Sequence, residues 1–421
     1  MADILQGSGM EELTTVDGIP LRQALANAQR KKKIKAVLMV MPLFVFLFLS
    51  FFYPIGLMMF RSVENPLIHE NLPLTGAALE TWDGKDLPNE SVYEAMVKDL
   101  VVARNNKTIG RVATRMNFEK SGIRSVFTKS ARKAKNIKAP FKEGLIKVNK
   151  SWGERETWAA IKRLSGEYTS VNYLAAVDRH YDVDDNIVMQ PEERQVYVGL
   201  FMRTAWMAII VTAACLFLGY PIAYLLANLP MRYSNLLMIM VLLPFWTSLL
   251  VRTTSWIVLL QTQGVINDIL VWIGILSEEG RVQLIYNAQG TVIAMTQILL
   301  PFMVLPLYSV MKTIPPSYMR AAQSLGAHRF LAYKRIYVPN TLPGVAAGSL
   351  LVFILAVGYY ITPALVGGED GQMISNIIAF HMQKSLNWGL AASLGGILLV
   401  GVVTLYWLYN KLIGVDKLKL G

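Results

Sequence analysis

The stretch Ala36–Phe60, AVLMVMPLFVFLFLSFFYPIGLMMF, runs for 25 residues without a charge. At about 1.5 Å of rise per residue it exceeds the ~30 Å hydrocarbon core of a bilayer. Lipid offers backbone amides no hydrogen-bond partner, so a run of this kind crosses as a helix. It is longer than the ~7–15-residue apolar region of a cleaved leader, and a basic cluster, Arg30 to Lys33 plus Lys35, stands directly before it. The expectation is a first span at 36–60 with an uncleaved tail, 1–35, on its inner side.

Five further apolar runs follow, at about 204–227, 236–260, 289–311, 343–366 and 390–409. The composition agrees: 53% of residues are hydrophobic and 17% charged, against about 25% charged in a soluble chain. That excludes a disordered chain and argues against a soluble enzyme. With the first segment inside, the short inner segments 1–35, 228–235, 312–342 and 410–421 hold 15 Lys and Arg, and the short outer loops 261–288 and 367–389 hold two. This asymmetry predicts a multi-pass membrane protein with both termini in the cytoplasm.

Residues 61–203, between the first two spans, are polar and long enough to form a domain. Their 23 basic and 19 acidic residues do not test the orientation, because loops beyond about 60 residues escape the charge rule. Apolar residues recur at helical spacing in Ser91–Arg104 and Glu156–Leu164, so an α-rich extracytoplasmic insertion with irregular links is expected. Its basic run Lys129–Lys150 reads first as a solvated face and second as a docking surface for an acidic partner or anionic headgroups.

The residues of catalysis are missing from the spans. They contain no Asp, Glu or His, which disfavours an intramembrane protease or transferase. Cys215 is the one cysteine, and His69, His180, His328 and His381 are far apart with no HExxH pattern, so no metal site and no catalytic residue are expected. The chain has no GxxxxGK[ST] phosphate loop and no cofactor of its own is expected.

The inner loop 313–342 carries the sharpest pattern. Pro315 and Pro316 end the fourth span, Ser317 is a candidate cap for a new short helix, and Ala321, Ala322 and Leu325 share a face. Two alanines keep that face thin enough for another protein to approach closely. Gly326 supplies a left-handed turn, and a second helix over about His328–Tyr337 leads to Pro339 and the fifth span.

This loop resembles the EAA loop of ABC importer permeases: Ala321 and Ala322 match the alanines, Gly326 the glycine, Ile336 the isoleucine and Pro339 the proline, while Arg320 stands in place of the usual Glu and Val338 in place of Leu. The resemblance implies a coupling helix that seats on a cytoplasmic ATPase, with Arg320, Ala321, Ala322, Leu325, Gly326, Ala327, Arg329, Phe330 and Pro339 as its contact residues. The stretches Leu243–Ser248, Val251–Trp256, Gly264–Asn267, Gly358–Gly368 and Asn387-Trp388 resemble the spermidine/putrescine-type branch over about 200–415, and the insertion is longer than that branch usually has. The implied partners are an ABC ATPase dimer that binds the ATP and Mg, a second permease subunit in a heterodimer, an extracytoplasmic solute-binding protein and the bilayer; no nucleic acid is expected.

Arg252 is the one Lys or Arg inside the six runs. A cation there is costly unless it is paired, snorkelled or facing water, so it points to a bundle interior or an aqueous cavity. Trp246, Thr247 and Trp256 can share its face, where aromatic rings and a hydroxyl suit an amine through cation–π contacts. With Tyr360 and Thr362 they are the candidate pathway residues. Val265–Leu276 is too short to span and reads as an outer interfacial or re-entrant helix, part of an outer gate. The fold class is therefore all-α integral membrane: six transmembrane helices, a permease core at 204–409 with its EAA-type coupling helix, and the insertion. The expected function is ATP-driven import of a polyamine-like or related amine solute. The alternatives are an anionic or zwitterionic solute in the same role, and an envelope receptor or scaffold without transport.

Overall fold

The computed structural model describes residues 21–413 and divides after Phe60 into two compact units. In the first unit a helix runs from Leu21 to Leu47 and continues through a π turn, Phe48–Phe52, into the helix Tyr53–Val63. The basic cluster at 30–35 therefore lies on the helix. The π turn falls just ahead of Pro54, whose ring cannot sit against the carbonyl four residues back. Most of the expected tails, 1–20 and 414–421, lie outside the described residues.

The spans of the second unit follow the apolar runs with one departure. Tyr197–Asn228, Ala288–Thr313, Arg329–Gly358 and Trp388–Lys411 are continuous helices long and apolar enough to cross, as is Gln29–Val63. The third run is not one helix: Met231–Trp246 and Leu249–Trp272 meet at a 97° bend. Pro244 has no amide hydrogen to donate, and the chain leaves helical geometry at Thr247 and Ser248. Six spans are reached when this broken pair counts as one crossing.

Spans two, four and five form the membrane core. Met207, Val211, Cys215, Met295, Leu299, Met303, Leu307 and Val352 are buried among one another. With apolar surface already satisfied by lipid, close backbone packing holds such helices together. Gly344 and Gly348, one turn apart on span five, supply it: a Cβ at Gly348 would lie 2.8 Å from the Met303 sulfur and 3.2 Å from its carbonyl, and one at Gly344 3.2 Å from the Leu307 Cα. Polar groups in this core are paired. Cys215 donates to the Thr296 carbonyl at 3.4 Å, and the Tyr220 and Thr341 hydroxyls meet at 3.1 Å.

The insertion is helical, with helices at Glu90–Asn105, Ile109–Glu119, Ile123–Lys133, Phe141–Val148 and Arg155–Ser165 among its elements. The sequence left its links irregular, yet one is a hairpin pairing Arg179–Tyr181 with Ile187–Met189. Its own core is built on Trp152, Trp158, Tyr93 and Phe127, all fully buried. The rings meet edge-on or tilted, Tyr93 to Trp158 at 4.7 Å and Trp152 to Trp158 at 5.2 Å between centroids. Each buried polar tip has a partner: Trp152 Nε1 donates to Ser130 Oγ at 2.7 Å, Trp158 Nε1 to the Trp152 carbonyl at 2.9 Å, and the Tyr93 hydroxyl to the same carbonyl at 2.8 Å. Asp99 accepts from the Thr75 amide and hydroxyl, both at 2.7 Å, and its burial holds the carboxyl above the usual range.

Asp178 joins this domain to the spans. Its buried carboxylate accepts from the amides of Val196, Tyr197 and Val198 at 2.8–3.1 Å, the unpaired donors at the start of the second span. Ala176, Leu200, Ile374, Leu390 and Leu394 form a small apolar cluster beside that joint, and Asn172 reaches back to the Ser62 carbonyl at 2.9 Å.

Candidate functional site

The inner loop forms a knuckle whose geometry follows from its residues. Span four stops at Thr313, and the short helix Pro316–Ser324 starts with Pro316 in its first turn and Pro315 in the cap position. Ser317 lies inside the helix and caps nothing; a proline needs no partner for an amide hydrogen it lacks. The helix ends in a paired set of backbone bonds, Ala327 amide to Ala322 carbonyl at 3.1 Å and Gly326 amide to Gln323 carbonyl at 3.0 Å. This closure needs a left-handed residue, and Gly326 has φ of +89°.

The chain then re-enters a helix at Arg329, with the His328 ring nitrogen accepting from the Phe330 amide at 3.4 Å. That helix is the fifth span itself. It runs through a π turn, Tyr333–Tyr337, and past Pro339 to Gly358, so the expected separate second helix is the inner end of the span. The π turn precedes Pro339 as the first one precedes Pro54.

Met319 packs the knuckle against the core of the spans, and most of its other side chains are exposed. No residue of Pro316–Ser324 is buried. Leu325 is 90% exposed and Phe330 69%; Arg320, Ala321, Gly326, Arg329 and Pro339 are exposed, and Ala322 and Ala327 half-buried. Among the described residues no acid pairs with Arg320 or Arg329. Behind this face Tyr224 meets Tyr333 and Tyr337 edge-on at 5.6 and 5.3 Å, which ties the knuckle's root to span two.

A second constellation surrounds the break in span three. Arg252 donates from Nη2 to the Thr247 carbonyl at 3.2 Å and to the Pro244 carbonyl, and from Nε to Thr247 Oγ1 at 3.4 Å. The acceptors are two carbonyls and one hydroxyl at the interruption, and the Pro244 carbonyl also accepts from the Thr247 amide at 3.3 Å, so the partner of the intramembrane cation is the turn at the break and not an acid. An open groove of about 280 Å³ lies against this brace, lined by Thr247, Arg252, Ser255, Trp256 and Gln297 with apolar neighbours. Trp256 Nε1 donates to Gln297 Oε1 at 3.2 Å.

Of the six candidate pathway residues, three line the groove. Trp246 is 77% exposed and not part of the lining. Thr362 is fully buried, its hydroxyl 3.4 Å from that of Thr253. Tyr360 follows the end of span five, where the carbonyls of Tyr359 and Tyr360 accept from Ser375 and Asn376, both at 2.7 Å, the Tyr360 carbonyl also accepting from the Ala364 amide at 3.0 Å. Those carbonyls are thus taken by the outer helix Ile374–Gln383. Gln297 went unread in the sequence; its signal was an amide in the middle of an apolar run. The outer segment forms a short helix, Val265–Trp272, pinned by buried Asn267, which donates to the Val282 carbonyl at 2.9 Å, and by Arg281, which pairs with Asp268 and Glu278.

Comparison with known proteins converges on one group. Residues 219–413 match the family described as "Binding-protein-dependent transport system inner membrane component". The spermidine/putrescine transport system permease protein PotB of Escherichia coli is 35% identical over 221 residues, covering 52% of this chain and 80% of that protein. PotB of Haemophilus influenzae is also 35% identical, covering 51% and 77%. A putative 2-aminoethylphosphonate transport system permease protein of Salmonella choleraesuis is 24% identical, covering 52% and 77%. Among solved structures, a bacterial ABC transporter involved in alginate import aligns with a TM-score of 0.43 at 19% identity, covering 55% of this chain and 81% of that one. The insertion precedes the matched region.

Proposed function

The chain belongs to the binding-protein-dependent inner membrane components and is a permease subunit of an ABC importer, and from that premise we propose that it carries a polyamine or a related amine solute, driven by a cytoplasmic ATPase dimer seated on the knuckle at 320–330. The observation that carries the seat is the knuckle itself: Leu325 and Phe330 are presented to solvent on a rigidly closed turn, an arrangement that gains nothing for the isolated chain and suits a partner's apolar pocket. Arg320, where the family's loop has Glu, calls for an acid on the ATPase surface.

In this reading ATP and Mg are bound by the ATPase subunits. Closure of the ATPase dimer moves the knuckle, and the knuckle moves span five, because the two are separated only by the turn at Gly326–His328. The tyrosines at 224, 333 and 337 pass the motion to span two. A second permease subunit completes the pathway, both termini face the cytoplasm, and the insertion lies outside with the mouth. The groove at the break is the place for the solute: Trp256 offers a π face to an ammonium, and Thr247, Ser255 and Gln297 offer hydrogen-bond acceptors. Arg252 has its Nε already spent on the Thr247 hydroxyl and its Nη2 on the backbone, so its role is to hold the break open. The amine assignment rests on the 35% identity to the spermidine/putrescine permeases.

The test is reconstitution. The complex purified through this subunit is placed in proteoliposomes with ATP inside and binding protein outside, and uptake of labelled putrescine and spermidine is followed. ATP-dependent uptake of either supports the reading; co-purification without an ATPase, or uptake only of anionic solutes, contradicts it.

A further inference from the structure

The insertion carries an unopposed basic face. Between residues 124 and 150 there are nine Lys and Arg against one acid, Glu143. The acids just upstream are turned elsewhere: Asp99 is buried on Thr75, and Glu119 pairs with Arg163. Elsewhere in the insertion Lys98, Lys120, Arg155 and Arg163 have acidic partners. Lys129, Arg132, Lys133, Lys135, Lys138 and Lys147 are exposed and none is in an ion pair among the described residues.

Helix-end electrostatics account for part of this. Arg132 and Lys133 occupy the last turn of Ile123–Lys133, where cations are favourable. Lys135 and Lys147 likewise lie in the last turns of Ala134–Asn136 and Phe141–Val148, whereas Lys129 and Lys138 have no such reason, and an unopposed cluster repels itself. The platform beneath is fixed. Arg104 donates to the carbonyls of Ala131 and Arg132 at 3.1 and 2.6 Å, the Glu90 carboxylate caps Phe141 and Lys142, and Ser130 is tied to Trp152. The charges are therefore presented in a set arrangement, which lowers the ordering cost of binding.

The occupant follows from what the face lacks. Segments that lie on a membrane set Trp, Phe or Leu beside their cations. Between residues 119 and 167 no large apolar side chain is exposed. We propose that this face docks an acidic surface of a soluble protein, namely the solute-binding protein that delivers to the transporter. The proposal rests on the permease reading and on the insertion lying outside.

The experiment uses the whole transporter in nanodiscs. The Kd of its soluble binding protein is measured from low to about 0.3 M salt, where charge interactions beyond a few ångströms are screened. The quadruple variant Lys129→Glu, Lys133→Glu, Lys135→Glu, Lys138→Glu is compared with wild type, and the same positions changed to Gln serve if the first set fails to fold. The expected result is a Kd weakened by about tenfold or more for the Glu set, less for the Gln set, with a flattened salt dependence in both. A folded variant with unchanged Kd and salt slope overturns the proposal. So does a variant that keeps its Kd but loses retention on vesicles of anionic lipid, which would assign the face to headgroups. If wild type binds the protein and the variants bind it equally, this proposal alone falls. If wild type does not bind it, the permease reading falls too.

Discussion

The knuckle and the insertion use the same kind of side chain in opposite ways. In the insertion the large residues turn inward: Trp152, Trp158 and Tyr93 are fully buried and their polar tips are bonded. In the knuckle Leu325 and Phe330 turn outward, on a backbone closed by the Ala327–Ala322 and Gly326–Gln323 bonds. The first region is folded for its own stability, and its surface is left to charge. The second is too small to have an interior and keeps its shape through backbone bonds and one left-handed glycine. A segment closed in its main chain that turns Leu325 and Phe330 to solvent suits completion by another molecule, as the proposed function has it.

The contrast breaks first at the knuckle. Ala322→Asp, or Gly326→Val with a β-branched residue at φ of +89°, is expected to abolish ATP-dependent uptake, a loss of about a hundredfold or more if the seat is a binding hot spot, with membrane insertion and the melting of the insertion unchanged. Uptake assays beside a protease-protection assay check this; full activity in either variant contradicts the coupling role. On the other side, Trp152→Ala removes a fully buried indole and should destabilise the insertion by about 3–5 kcal/mol, read as a lowered melting temperature, while ATPase co-purification persists. If Trp152→Ala also released the ATPase, the two regions would not be separable as described.

Arg252 sharpens the comparison within the membrane. Arg252→Met strips the brace from the Pro244 and Thr247 carbonyls and should reduce maximal uptake by about tenfold, in keeping with one or two lost charge-assisted bonds, with a smaller change in the apparent affinity for solute. A large loss of affinity with unchanged maximal rate would make Arg252 a solute contact.

The smallest effect expected is one of pH. His381, on the outer helix Ile374–Gln383, is held below its usual value of about 6.5 by burial, with its ring between Tyr197 and Ser385 at 3.0 and 2.8 Å. A base whose folded value is depressed stabilises the protein above its unfolded value, and that contribution is lost as pH falls through 6.5 toward the folded value. The melting temperature should therefore fall modestly between pH 7.5 and 5.5, and His381→Asn should flatten that slope. An equal slope in the variant removes His381 from the account.

How far the sequence reached can be followed residue by residue. Unbroken apolar length located the spans, since lipid leaves few alternatives, and period 3.6 located the helices Glu90–Asn105 and Arg155–Ser165 of the insertion. The break in span three was hidden because hydropathy counts residues and not bonds: 236–260 is apolar on average, and the bend depends on Pro244 together with an arginine eight residues later that donates to the Pro244 and Thr247 carbonyls. The spacing from Ala321 to Gly326 was legible because backbone closure demands it. The cap was not, because Ser317 and the prolines compete for one position and proline takes it. Thr362 looked like a pathway residue by its type, and only tertiary packing against Thr253 shows it buried. Asp178 and Gln297 act through partners far along the chain, at 196–198 and 256, and long-range pairs leave no local pattern.

The central claim is most directly tested by a crosslink at the knuckle's tip. Cys215 is the chain's one cysteine and is buried in the span core, so Leu325→Cys provides a single reachable thiol. In the purified complex, a short thiol-to-amine crosslinker should join residue 325 to an ATP-hydrolysing subunit, and that subunit should shield the thiol from a bulky maleimide until it is stripped away. A thiol at 325 that labels fully in the active complex, with no crosslink to such a subunit, would contradict the account.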